Sequence, residues 1–341
     1  MNHEPDVPAL DIRGLRLRLP DTARPVLDGV DLTVGPRETV ALVGESGSGK
    51  TLTARSVLRL LPPGSAVEGE VLVQGEDVLA MAPDRLRRLR SGTAAMVFQD
   101  PRAVINPLRR VGDFLTEGVR LGGGQDRRTA TARASELLVA VGLTPAVLRQ
   151  YPVELSGGML QRVMIAGALM GDPVLLLADE PTTALDVTTQ AEVVALLGEV
   201  RDRFGTGLLF VTHDLGLAAA ISDRVYVMYG GRIAETGSAA ELFARPRHPY
   251  TAALLASSPG LDVPLDAPQG ARLTAIEGQP PDLGTALTGC AFAARCRHAT
   301  ALCRDEIPPA LPVDGDAGHL TACHHSDALE GSRVHDSSEA G

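Results

Sequence analysis

The sequence predicts an α/β fold: a mostly parallel sheet that carries a helical insertion, followed by a small cysteine-bearing extension at the carboxyl end. Three observations carry this. Continuous apolar runs of strand length, Thr39–Val43 and Val174–Ala178, stop at Gly44 and Asp179, as strands buried on both faces do. Helical stretches alternate with such runs, the pattern of parallel strands joined by crossovers. From Val111 to Tyr151 the alternation ceases, and the chain reads as helical, broken at Gly122–Gly124 and closed by Pro152.

The elements follow in order. Leu10–Leu19 alternates apolar residues with Arg or Asp, a half-exposed strand, and a turn-rich gap through Pro25 leads to a short strand at Val30–Val34. After the buried strand Thr39–Val43, Thr51–Leu61 has helical length and spacing and is closed by Pro62-Pro63-Gly64. Val71–Val73 and Ala94–Phe98 read as strands separated by a basic helix at Asp84–Arg90. Beyond the insertion come helix Gly157–Met170, strand Val174–Ala178, helix Thr188–Phe204, strand Leu208–Val211 and helix Leu215–Ile221. Val225–Tyr229 and Arg232–Ala234 form a hairpin that turns at Gly230–Gly231. After Pro246 the composition shifts to Pro, Gly and Ala. The expected division is therefore 1–245, 246–330 and a small, polar, disordered tail at 331–341.

Composition narrows the function. The 341 residues are 44% apolar, enough for a sizeable core, but only 3% aromatic with no Trp, so that core rests on Leu, Val, Ile and Ala. A net charge of −10 disfavours a nucleic-acid partner, which calls for a concentrated basic surface. No apolar stretch approaches the roughly 18–20 residues of a bilayer-crossing helix. Met1–Pro8 lacks the basic and apolar segments of a secretory signal, so a cytosolic protein is expected.

Gly44-Glu45-Ser46-Gly47-Ser48-Gly49-Lys50-Thr51 fits G-x-x-x-x-G-K-[ST] without deviation, between a strand and a helix. Its glycines let successive N–H groups converge on phosphate oxygens, and the helix beginning near Lys50 adds its positive end. Lys50 would neutralise the outer phosphates of a nucleoside triphosphate, and the Thr51 hydroxyl would ligate Mg²⁺. The apolar strand Val174–Ala178 delivers Asp179 and Glu180 to the sheet's carboxyl edge. There Asp179 suits the surroundings of Mg²⁺ and Glu180 can polarise an attacking water. Gln99 and His213 follow strands at the same edge, where a polar side chain can meet the terminal phosphate. Leu155-Ser156-Gly157-Gly158-Met159-Leu160-Gln161-Arg162 opens another helix, and Ser156 with the two glycines makes a second anion cradle. Two cradles in one chain need not serve the same nucleotide. Two copies placed head to tail would let each seal the other's ATP.

Residues 10–245 resemble the nucleotide-binding domain of ABC transporters, a branch of the P-loop NTPases. The resemblance rests on the Walker A loop Gly44–Thr51, the Q-loop Gln99, the signature Leu155–Gln161, Walker B Val174–Glu180, the D-loop Ala184-Leu185-Asp186 and the switch His213, six motifs in order. It implies a parallel sheet core, an antiparallel β subdomain and a helical subdomain over about 111–170. It implies ATP and Mg²⁺ as ligands, with Thr51, Gln99 and Asp179 attending the metal. Glu180, Gln99 and His213 would serve hydrolysis, and Gly44–Thr51 with Ser156, Gly157, Gly158 and Gln161 would bind nucleotide across a pair of subunits. One departure stands out. The adenine-stacking aromatic of that family falls at Leu19, and no aromatic precedes Phe98, which leaves Leu19 or Val26 as aliphatic contacts. Base stacking is worth roughly 1–3 kcal/mol, so weak discrimination between ATP and GTP is expected.

Cys290, Cys296, Cys303 and Cys323 are the only cysteines and are spaced C-x₅-C-x₆-C-x₁₉-C. Four thiolates can satisfy zinc or a cubane cluster, although the spacing is wider than zinc ribbons use. With His248-Pro249-Tyr250-Thr251, Gly289-Cys290 and Ala322-Cys323-His324, and with Asn106-Pro107 upstream, the region is similar to the carboxyl-terminal part of dipeptide, oligopeptide and nickel importer ATPases. In some members that resemblance implies a [4Fe–4S] cluster on the four cysteines; zinc and plain reduced thiols are the alternatives. It also implies two transmembrane permease subunits, a distinct second ATPase in preference to a homodimer, an extracellular solute-binding protein, and a place on the cytoplasmic face of the membrane. Peptide is the expected solute, nickel the alternative.

Overall fold

The computed structural model describes residues 7–122, 124–183, 185–258 and 276–329. Ala184 and the tail from Gly331 therefore lie outside the described residues.

Two sheets organise the chain. Strands β1 (Leu10–Arg18), β2 (Leu27–Val34), β4 (Ala66–Val73) and β5 (Glu76–Asp77) form an antiparallel sheet in the order β2-β1-β4-β5. The larger sheet takes β3 (Thr39–Val43), β6 (Ala94–Val97), β7 (Leu175–Asp179), β8 (Gly207–Thr212), β9 (Arg224–Tyr229), β10 (Arg232–Ser238), β11 (Leu311–Val313) and β12 (Asp316–Thr321) in the order β11-β12-β10-β9-β3-β8-β7-β6. From β9 to β6 its strands are parallel. β3 and β8 are buried at every position, as their unbroken apolar runs require of central parallel strands.

Several boundaries differ from the sequence reading, each for a tertiary reason. The first half of β4 is exposed but for the half-buried Val67 and carries no apolar alternation, yet it pairs with β1 from Arg18 to Arg13, so the ladder extends the strand. The basic helix spans Pro83–Arg88 and then widens into a π-turn at Leu89–Thr93. The hairpin's second strand runs on to Ser238 because Glu235 and Thr236 pair with Thr321 and Leu320 of β12. The carboxyl-terminal segment thus adds strands to the same sheet that bears the phosphate loop. Helices Val111–Leu121, Arg127–Ala140 and Gly157–Ala168 form the helical insertion, packed through Leu115, Val119, Leu137 and Leu160.

Candidate nucleotide site

The loop after β3 takes its shape from Gly44, Gly47 and Gly49, with φ of 150°, 79° and 111°. Space adds a demand at two of them. A Cβ on Gly44 would stand 2.2 Å from the Met228 carbonyl oxygen, and one on Gly49 would stand 2.6 Å from Leu27 Cδ2. Lys50 opens the Lys50–Val57 helix, and its ammonium donates to the carbonyl oxygens of Gly44 (2.8 Å) and Glu45 (3.0 Å). Burial pushes its pKa down, opposed by the charges of Glu180 and Asp179. Ser46 and Gly47 are exposed at the loop tip, and Ser48 is buried with no hydrogen-bond partner for Oγ.

Thr51 reaches across to the end of β7, where its hydroxyl donates to Asp179 Oδ1 at 2.9 Å. Asp179 is only 1% exposed, and burial pushes its pKa up against that bond and the nearby Arg55 guanidinium. Its Oδ2 has no hydrogen-bond partner, with Arg55 Nε 4.0 Å away. A buried, unsatisfied carboxylate oxygen beside a hydroxyl calls for a ligand. Two oxygen donors suit Mg²⁺, which binds few protein oxygens and keeps several waters.

Glu180 adopts φ of 46°, a left-handed backbone rare outside glycine, while its N–H continues the ladder to Val211. That turn brings three groups onto one carboxylate oxygen. Gln99 Nε2 donates to Glu180 Oε2 at 3.1 Å, Thr183 Oγ1 lies 3.2 Å from it, and His213 Nδ1 stands at 3.4 Å. The structure therefore gathers Gln99, Glu180 and His213 at the edge the sequence assigned them. Here the Gln99 amide faces Glu180, not Asp179, and Thr183 is an addition that no motif announced.

Ser156 caps the Gly157–Ala168 helix, accepting from the Met159 N–H at 3.3 Å, and Ser156 and Gly157 are exposed. Gly158 packs so closely that a Cβ would stand 2.9 Å from Thr189 Cγ2. Gln161 departs from expectation. It is 1% exposed with Nε2 unpartnered, turned into the core one helical turn from the cradle. Leu19 is half-buried just past β1, and Val26 is 7% exposed.

The four cysteines line one small cavity together with His248, His298, His324 and His325. Burial pushes Cys290 and Cys296 up and Cys323 up to about 11, which favours the protonated thiol. Among the described residues no group of three or more His, Cys, Asp or Glu is arranged to hold a metal ion, so as they stand the donors do not fit zinc or an iron–sulfur cluster.

Sequence comparison places this geometry in a family. Residues 27–183 match the ABC transporter family, and residues 234–303 match the oligopeptide/dipeptide transporter carboxyl-terminal region. The chain is 46% identical over 323 residues to a putative peptide import ATP-binding protein of Brucella melitensis, covering 91% of this chain and 96% of that one. It is 43% identical over 328 residues to a probable peptide ABC transporter ATP-binding protein of Sinorhizobium fredii, covering 94% and 96%. The dimeric structure of MJ0796, a bacterial ABC transporter cassette, superimposes with a TM-score of 0.60 at 27% identity, over 67% of this chain and 98% of that one. The cassette cbiO1 from Clostridium perfringens gives 0.62 at 26%, over 70% and 91%. The chain belongs to the ATP-hydrolysing subunits of ABC transporters.

Proposed function

We propose that this subunit powers uptake of peptides, working on the cytoplasmic face of the membrane against two permease subunits. In this reading a second, distinct ABC ATPase completes the motor, and an extracellular binding protein selects the solute. One observation carries it: Thr51–Asp179 and Gln99–Glu180–His213 stand at one sheet edge beside the Gly44–Thr51 loop, while Ser156 and Gly157 of the second cradle face solvent. Among the described residues no hydrogen bond joins that cradle to the phosphate loop. An exposed cradle is suited to the nucleotide of a partner subunit.

The Lys50 ammonium, now on the Gly44 and Glu45 carbonyls, is the donor that β- and γ-phosphate oxygens would take. Thr51 and Asp179 would hold Mg²⁺, which supplies neutralisation of charge developing on the phosphates. The Glu180 carboxylate accepts a proton from the water that attacks the γ-phosphorus, and the bond to the β-phosphate oxygen breaks to leave ADP and phosphate. Gln99, Thr183 and His213 gather at Glu180 Oε2 and so orient the carboxylate. A groove of about 490 Å³ between the sheet edge and the helical insertion, lined by Phe98, Val104, Phe114 and Met164, supports permease docking near Gln99. Peptide as solute is supported by the oligopeptide/dipeptide region and by the relatives' names. Iron and acid-labile sulfide assays on anaerobically purified protein test the [4Fe–4S] alternative directly.

Glu180→Gln tests the assignment. It should lower ATP turnover by about 10²–10⁴-fold while ATP now holds a stable pair of subunits, seen by size-exclusion chromatography. Turnover at the unaltered rate would remove Glu180 from its role.

A further inference from the structure

Glu45, the second residue of the phosphate loop, is gripped from 250 residues away. Arg295 Nη1 donates to Glu45 Oε2 at 2.7 Å and Nη2 donates to Oε1 at 3.0 Å, a two-point fork. The pair is sheltered, with side-chain exposures of 5% for Arg295 and 23% for Glu45. The guanidinium is fixed in turn by the Tyr229 hydroxyl and the carbonyl oxygens of Ile276 and Glu277. A second hold comes from Tyr250, whose hydroxyl accepts the Glu45 backbone N–H at 2.8 Å. The Tyr250 ring packs on Tyr229 and Phe292.

The chemistry of the loop gives this grip a consequence. Gly44–Thr51 gathers donors around a polyanion, and a carboxylate on its second residue opposes that purpose. Arg295 cancels the charge at a site partly sheltered from solvent screening. It also lies in the short turn Ala293–Arg295, between Cys290 and Cys296, held by the Ala293 N–H on the Cys290 carbonyl and the Cys296 N–H on the Ala293 carbonyl. The same segment reaches the loop that bears Leu19 and Val26, where Arg24 donates to the Pro281 and Asp282 carbonyls.

We propose that the cysteine-bearing segment is a clamp in cis on the phosphate loop, with Arg295 the positioning residue that neutralises Glu45 and so sets ATP affinity. This rests on reading Gly44–Thr51 as the phosphate loop, and the experiment separates the two. Steady-state ATP hydrolysis is measured on the full chain. Arg295→Gln should raise the KM for ATP about tenfold while kcat falls by no more than about twofold. Glu45→Gln placed on Arg295→Gln should bring the KM back to within about threefold of the Glu45→Gln single variant, because no lone carboxylate is left. A purely structural role would instead make the double variant the worst of the three. Should Arg295→Gln fail to fold, Arg295→Lys keeps the charge without the fork, and an intermediate KM supports the clamp. Unaltered KM in both Arg295 variants, or additive loss in the double variant, overturns it. Wild-type ATP binding by Lys50→Ala would overturn the phosphate-loop reading instead.

Discussion

Thr51→Val tests the link between the phosphate loop and the end of β7 with little change of shape, since a methyl replaces a hydroxyl. The lost bond is the 2.9 Å donation to Asp179, a carboxylate 1% exposed whose other oxygen already lacks a hydrogen-bond partner. A hydrogen bond to a charged group is worth about 1.5–3 kcal/mol. Both oxygens are then unmet and Arg55 stands 4.0 Å off, so the cost should fall at the upper end, about 3 kcal/mol. For domains of this order that lowers Tm by about 5–10 °C. The Thr51 bond also restrains a pKa that burial has raised, so its loss raises the Asp179 pKa further. A carboxyl with a raised native pKa keeps its proton where the unfolded chain has released one. Its penalty is therefore full above the native pKa and fades as pH falls below it.

The measurement is urea unfolding of the nucleotide-free protein at neutral pH and at about pH 5. The gap between Thr51→Val and the parent should be widest at neutral pH and should narrow in acid. Asp179→Asn added to Thr51→Val should recover part of the loss, because no charge is then buried. A gap under about 0.5 kcal/mol at neutral pH, or one that does not narrow in acid, refutes the reasoning.

Two further predictions concern the surroundings of the site. His248 is buried, and burial holds its pKa down to about 4, so below the ordinary value of 6.5 the unfolded chain takes a proton that the native chain refuses. That stability is present above the ordinary value and is lost as pH falls towards about 4, amounting to about 2 kcal/mol by pH 5. His248→Asn retains an acceptor for the Tyr250 N–H and should lose less stability in acid than the parent. Equal slopes of urea midpoint against pH count against this. Within the phosphate loop, Gly44→Ala meets both the Met228 carbonyl and an unfavourable φ and should cost about 2–4 kcal/mol. Gly47→Ala meets no atom within 4 Å and should cost only about 1–2 kcal/mol. The same unfolding experiment checks both, and equal costs would show that space is not what requires Gly44.

What was legible in the sequence was what is local. Strands buried on both faces announced themselves as apolar runs, and Gly44–Thr51 and Asp179–Glu180 sit at strand ends because those runs stop there. Gln99, Glu180 and His213 could be placed on one edge because parallel strands present their carboxyl ends together. What escaped depended on partners distant in sequence. The first half of β4 has no pattern of its own and is a strand because β1 is beside it. Gln161 lies one turn into a helix, and only the packing of that helix decides that it faces inward. Thr183 is local to Glu180, yet nothing marked its hydroxyl until the left-handed turn at Glu180 aimed it back.

The carboxyl-terminal segment makes the same case at larger scale. Its change of composition after Pro246 suggests an appendage, but Glu235 on β10 ties it to the ATPase sheet. That fully buried carboxylate accepts from the Arg247 N–H at 2.7 Å and the His248 N–H at 3.0 Å, and His319 Nε2 lies 2.8 Å from it. One acid thus fixes the start of the extension and the strand β12 that returns from its far end. A buried carboxylate tolerates this position only with its acceptors filled, so the extension and the sheet stabilise each other. Arg295 and Tyr250 then stand on a frame continuous with β9 and β10, which is why their contacts can impose a shape on the phosphate loop beside β3. Composition marks where the chain's chemistry changes; hydrogen bonding across that mark decides what packs as one sheet.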